Sequence, residues 1–270
     1  MSDAKALAFP ADLDREVLMQ RLDAVLDPEI DESILKLGFV NSLQIDAGHV
    51  TVELHLPTYW CAPNFCYMMA EDTRRELLKI NGVTDVTIRL KDHFASEAIE
   101  VGVNSDRTFT EAFPGEALED LDEMRRMFLR KGYLSRQEHL LRSLLQLGLS
   151  FAEISQLRNQ DLTIQGEFCW VCRPAGEVSR VGPAELAARY FERREQMGHG
   201  SEPAAALVTD LEDQVIPQDR LEEYFVNART VRLSLEANGS LCQAMLQARK
   251  GGREHVFVNL SPSIHHERES

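Results

Sequence analysis

The sequence predicts an α+β protein in which a small α/β amino-terminal domain, ordered helix, strand, strand, helix, strand, precedes a second, mainly helical domain. Three observations carry this. Val50, Val52, Leu54 and Leu56 alternate strictly with His49, Thr51, Glu53 and His55, the period of a strand with one dry and one wet face. Leu13, Val17, Leu18, Leu22, Val25 and Leu26 gather on one side of a helix. After "FTEAFPGEALEDLDE", where Pro114, Gly115 and an acidic run interrupt the pattern, helical periodicity takes over.

Element by element, the first helix spans 13–26 and stops at Pro28. Two strands follow in "GFVNSLQIDAGHVTVELHL", joined by a turn at Asp46-Ala47-Gly48. Residues 64–80 suit a helix ended by Asn81-Gly82, with Asn64 as its side-chain cap, and "VTDVTIRL" is a third strand through Val86, Ile88 and Leu90. The domains are expected at 1–113 and 114–270. In the second, helices are expected over 118–131, 135–147, 151–158, 183–196 and 217–247, the last with a break, and "LTIQGEFCWVC" reads as a hairpin turning at Gly166.

The 270 residues, 44% of them hydrophobic, suit one large or two ordinary domains. No apolar run approaches the roughly 18 residues needed to cross a bilayer, and "MSDAKALAFPADLDREV" lacks a basic region followed by an apolar one, so a cytoplasmic protein without membrane contact is expected. A formal net charge of −15 repels phosphate backbones and anionic lipid, which argues against nucleic acid as a partner. Five cysteines, at 61, 66, 169, 172 and 242, do not form a secreted disulfide pattern and are expected reduced.

The chemistry centres on "HLPTYWCAPNFCYMMAED". Pro57 ends the strand and Pro63-Asn64 open the next helix, so Cys61 falls near that helix's unpaired N–H groups, a position that favours thiolate. The plain alternative is a small apolar side chain packing the loop.

"LDPEIDESILKLGFVNSLQIDAGHVTVELHLPTYWC" resembles the SufT/PaaD-like family of iron-sulfur (metal-sulfur) cluster assembly proteins. Asp27-Pro28-Glu29 match its first element, Leu37, Gly38 and Val40 the second, with Phe39 substituted, and Cys61 the loop cysteine. The resemblance covers about residues 15–100. The family's loop threonine is replaced where Pro57 stands, and its Cys-Pro becomes Cys61-Ala62-Pro63. The segment "DHFASEAIEVGVNSDRTFTEAFPGEALEDLDEMRRMF" is similar to a longer variant that accompanies soluble di-iron monooxygenases. The resemblance implies an accessory protein, not an enzyme, that handles iron or an iron-sulfur cluster transiently through Cys61. Its implied partner is a client metalloenzyme, a di-iron monooxygenase hydroxylase component. A homodimer is compatible with it, and a metal-free chaperone or adapter is the rival reading.

Candidate companions of Cys61 are Cys66, His93, Asp27 and Glu29. Cys66 stands five positions on, able to approach across a helix N-terminus, or to pack the core in line with Ala70, Thr73 and Leu77. His55 and Glu53 share the wet strand face and His93 follows the third strand, so all three can reach one end of the sheet, although histidines more often serve as surface or hydrogen-bonded residues. For Asp27 and Glu29 the ligand role rests on the family motif, since Asp before Pro is also ordinary turn chemistry. No histidine-acid pair is spaced to activate Cys61 as an enzyme nucleophile.

Cys169 and Cys172 form a Cys-x-x-Cys pair, but on a strand residues three apart face opposite ways, so packing is expected and not zinc. Cys242 is distant in sequence and alone. "LLRSLLQLGLSFAEISQLRNQDLTI" is similar to the helix-turn-helix and hairpin of tyrosine recombinases, yet Ser150 replaces that family's arginine. The second domain is therefore expected to recognise the client.

Overall fold

The alternation from Val50 to Leu56 becomes the interior of a four-stranded sheet in the computed structural model, which describes residues 15–115, 121–251 and 257–259. The chain forms two units, 1–121 with 238–270, and 122–237.

The first unit opens with α1 (Arg15–Asp23), then a two-residue ribbon of β1 (Leu26–Asp27) against β2 (Glu32–Ser33). β3 (Val40–Asp46) and β4 (His49–His55) form an antiparallel hairpin with Ile45 opposite Val50 and Leu43 opposite Val52. Its turn places Ala47 at φ 48° and Gly48 at φ 89°, the two left-handed residues a tight hairpin requires. A Cβ at Gly48 would stand 2.7 Å from the Gly82 carbonyl, so only glycine fits there. α2 (Pro63–Leu78) crosses over to β5 (Asp85–Lys91), which pairs parallel to β4, and α3 (Ser96–Asn104) and α4 (Phe109–Ala112) follow. The helix, strand, strand, helix, strand order is the one the hydrophobic patterning implies.

α2, α1 and α3 line the dry side. Leu18, Leu22, Tyr67, Ala70, Leu77 and Ile99 join Val50, Val52, Leu54, Val86, Ile88 and Leu90 in one core, each of the larger side chains contributing about 1.5–3 kcal/mol on burial. The wet side is partly covered as well, and His55 is 5% exposed. Arg249 and Lys250, at the end of α8 (Leu221–Lys250), stand near His55. β9 (Phe257–Asn259) pairs parallel to β3, giving the order β5-β4-β3-β9, and the last turns of α8 lie by the ends of β4 and β5. Residues 238–250, which the sequence reading assigns to the carboxy-terminal domain, thus belong to the first unit.

The second unit contains α5 (Leu121–Gln146) from Asp122 on, α6 (Phe151–Ile154), an antiparallel sheet of β6 (Leu162–Gln165), β7 (Phe168–Cys172) and β8 (Val178–Pro183), then α7 (Ala184–Gln196) and α8 up to Ala237. The hairpin turns at Gly166, φ 59°. Ser150 caps α6 in a reciprocal arrangement with Glu153, so the residue standing in place of an arginine does a structural job. Arg194, 2% exposed, donates to the carbonyls of Gly200 (2.9 Å) and Leu207 (2.8 Å), and its Nη2 faces Asp213 Oδ1 at 3.6 Å, so the buried cation has a counter-charge.

Two expected breaks are absent. α5 runs through Gly132-Tyr133, both buried, because packing outweighs the roughly 1 kcal/mol glycine penalty. α8 runs through Asn238-Gly239-Ser240, where a Cβ on Gly239 would meet Ile30 Cγ2 at 2.9 Å, so glycine there serves close approach and not a break. Among the described residues, no helix is long and apolar enough to cross a membrane.

Candidate functional site

Two loops meet at the carboxy-terminal ends of β4 and β5, which run parallel with His55 beside Lys91. Leu56 and Pro57 stay buried as β4 ends, and the chain then surfaces through Tyr59 and Trp60 before Cys61, which is half-buried. Thr58 Oγ1 lies 3.3 Å from Cys61 Sγ and accepts from the Trp60 N–H at 3.2 Å. So a threonine hydroxyl does meet the thiol, from the position after Pro57.

α2 begins one residue earlier than expected. Pro63 occupies its first turn, Ala62 is the N-cap, and Ala62 makes no side-chain cap bond. The fixed φ of proline suits the first helical position, and this takes the capping place from Asn64, whose side chain instead accepts from the Phe65 N–H (2.9 Å).

Cys66, in the first turn of α2, is fully buried, and burial pushes its thiol well up, helped by the charges of Cys61 and Asp27. Ala70, Thr73 and Leu77 are buried on the same helix, so the expected core line is present. At the same time Cys66 Sγ is 3.5 Å from His93 Nε2, so its sulfur borders the loop as well as the core.

His93 is 4% exposed and follows a left-handed turn at Asp92, φ 50°. Its Nε2 is 2.8 Å from the Cys61 carbonyl, and its Nδ1 accepts from the Ala95 N–H at 3.2 Å. A carbonyl only accepts and an amide N–H only donates, so the ring is neutral with its proton on Nε2. Burial holds its pKa below the ordinary value, with Arg249 acting the same way and the Cys61 carbonyl opposing. Both ring nitrogens are therefore engaged, and His93 positions the Cys61 loop; to ligate a metal it would have to surrender one of these bonds.

Asp27 is 7% exposed in the β1–β2 ribbon, and Oδ1 accepts from the N–H groups of Glu29 (2.8 Å) and Ile30 (3.0 Å). This is the turn chemistry of Asp before Pro. Burial, the largest cause, pushes the carboxyl up to about 6 against the opposing pull of those two N–H groups. Glu29 is half-buried at the same turn.

Of the other residues at this end, His55 turns to Asp92 (3.7 Å) and Glu53 accepts from Asn41 Nδ2 (2.5 Å), so neither joins the thiols. Cys169 is buried and Cys172 exposed on β7 in the other unit, the split the strand period implies. Two features escape sequence reasoning. Tyr59, Trp60 and Phe94 form an exposed aromatic lip with ring centroids 4.8–6.2 Å apart, Trp60 being 73% exposed, and the Phe94 N–H donates to the Tyr59 carbonyl at 3.2 Å. Cys242 comes in from α8: its thiol is raised to about 11 by burial and then by Asp27, Cys61 and Glu29. The aromatics were readable only as separate residues, and Cys242 carried no sequence signal at all. Among the described residues, no three His, Cys, Asp or Glu side chains are grouped closely enough to hold a metal ion.

Residues 15–89 match the family model described as iron-sulfur cluster assembly protein. The matched segment contains Asp27, Glu29, Cys61 and Cys66 and ends before His93. No curated protein and no solved structure matches the chain.

Proposed function

We propose that this protein is an accessory factor that handles iron or an iron-sulfur cluster as cargo through Cys61 during maturation of a client metalloenzyme, a soluble di-iron monooxygenase. The observation that carries the reading is the convergence of the Cys61 carbonyl and the Cys66 sulfur on His93, within and just beyond the segment similar to iron-sulfur cluster assembly proteins. Thiolate sulfur is the donor that iron-sulfur clusters take. Cys61 is half-buried beside an open lip, so cargo can reach it and leave, whereas structural sites close every coordination position. The client identity rests on the resemblance of residues 92–128 to the longer family variant. In this reading the residues act as holders of a cargo and not as the nucleophile and base of an enzyme.

Co-expression of the client with wild-type or Cys61→Ser protein tests the reading. The serine variant should fold normally and yield client lacking iron; full client metal content and activity with Cys61→Ser would overturn it. The aromatic lip favours one second reading, a metal-free adapter that grips the apo-enzyme through Tyr59, Trp60 and Phe94, for such exposed aromatic clusters are typical of protein contacts. That reading takes over if Trp60→Ala blocks maturation and Cys61→Ser does not.

A further inference from the structure

We propose that Cys242, outside the segment similar to the assembly family, is a further thiol ligand of the same cargo site, which suits an iron-sulfur cluster better than a single ion. This rests on the reading of Cys61 as a cargo ligand. Gly239, Cys242, Leu246 and Arg249 are spaced three, four and three residues apart on α8 and so share one face. Each neighbour of Cys242 on that face is fixed against the site's own framework. Gly239 lies so close to Ile30 that a Cβ would stand 2.9 Å from Ile30 Cγ2, which sets the helix against the turn holding Asp27 and Glu29. Leu246 is buried in the core and faces Gly38. Arg249 donates to the Leu56 carbonyl (2.9 Å) at the end of β4 and to the Asp92 carbonyl beside His93. Gln243 and Lys250 add bonds to the Lys36 carbonyl (3.2 Å) and the Gly38 carbonyl (2.7 Å). Cys242 is thereby held between the Asp27 turn and the strand end that leads into Cys61.

The electrostatics agree with that placement. Besides burial, the charges that raise the Cys242 thiol are Asp27, Cys61 and Glu29, and Cys61 and Asp27 also raise Cys66. The three thiols share one neighbourhood, yet no three ligands are grouped for a single ion among the described residues. A cluster, with several metal and sulfide atoms, spans thiols that one ion cannot reach together. Each thiol binds as thiolate, giving its proton to solvent as the sulfur–iron bond forms, and no electron is transferred.

The test uses full-length reduced protein incubated anaerobically with equal amounts of ferrous and ferric iron and inorganic sulfide, then desalted. Iron, acid-labile sulfide and the visible spectrum are read for wild type, Cys61→Ser, Cys242→Ser and the control Cys172→Ser. Wild type and Cys172→Ser should retain cargo, Cys61→Ser should not, and Cys242→Ser should release it to a chelator about tenfold faster than wild type. In wild type, iodoacetamide labelling read by peptide mass spectrometry should slow at Cys242 on loading but not at Cys172. If Cys242→Ser equals wild type in content, spectrum and release while Cys61→Ser fails, the role of Cys242 is overturned and the Cys61 reading stands. If Cys242→Ser loses cargo but loading leaves Cys242 labelling unchanged in wild type, the loss is structural and the inference fails. Wild type retaining neither iron nor sulfide overturns both.

Discussion

The imidazole of His93 ties down the carbonyl of Cys61, Nε2 to oxygen at 2.8 Å, and so joins the loop after β4 to the loop after β5. The same nitrogen is 3.5 Å from Cys66 Sγ. One neutral ring thus orders the backbone that presents the accessible thiol while touching the buried one.

His93→Ala should therefore cost about 1–3 kcal/mol, because it leaves the Cys61 carbonyl and the Ala95 N–H without their partner. Denaturant melts measure the loss. The freed loop should also make Cys61 alkylate faster in the folded protein. An unchanged alkylation rate would show that the loop is held without the ring.

Asp27 makes stability pH-dependent in the metal-free protein. Its carboxyl is raised from 3.8 to about 6, so between those values the folded state keeps a proton that the unfolded chain has lost. Stability from this group is full below about pH 4 and falls as pH rises through 6, by about 3 kcal/mol at most. Asp27→Asn retains an acceptor for Glu29 and Ile30, so it should match wild type near pH 4 and exceed it at pH 7. Parallel stability curves for the two proteins would show that Asp27 is not held neutral by burial.

Gly102→Ala sets two effects against each other. Alanine gains about 1 kcal/mol of helix propensity in α3, but its Cβ would stand 2.8 Å from Ala112 Cβ and 2.9 Å from Tyr67 Cε2. Neither neighbour is the free end of a flexible chain, and overpacking costs about 1–3 kcal/mol, so net destabilisation is expected in thermal melts.

Much of the first unit was legible because its signals are local. Strict alternation over 49–56 and the Asp46-Ala47-Gly48 turn fix a hairpin without help from the rest of the chain, and the Cys169/Cys172 split follows from the strand period alone. What was not legible depends on distant contacts. None of the residues of β8 is fully buried, and its sequence Val178-Ser179-Arg180-Val181-Gly182-Pro183 carries no apolar alternation, although Val181 packs against the second unit's core. The continuity of α5 and α8 turns on what Gly132 and Gly239 pack against. Cys242 joins the candidate site only because α8 returns to the β-sheet about 180 residues after Cys61, a relation that no spacing rule encodes.

Cys172→Ser, at an exposed position, should change stability by less than about 0.5 kcal/mol, while Cys169→Ser places a hydroxyl in the second unit's core and should cost about 1–3 kcal/mol. Neither should change iron or sulfide content. Loss of zinc or iron from either variant, by elemental analysis, would mean that β7 breaks its strand geometry to bring the two sulfurs together.

The central claim, that Cys61 holds the cargo, is tested most directly by iron and acid-labile sulfide content in full-length protein purified anaerobically, wild type against Cys61→Ser. The account predicts iron with sulfide in wild type and neither in the serine variant, at an unchanged melting temperature. Equal content in the two proteins, whether loaded or empty, would contradict it.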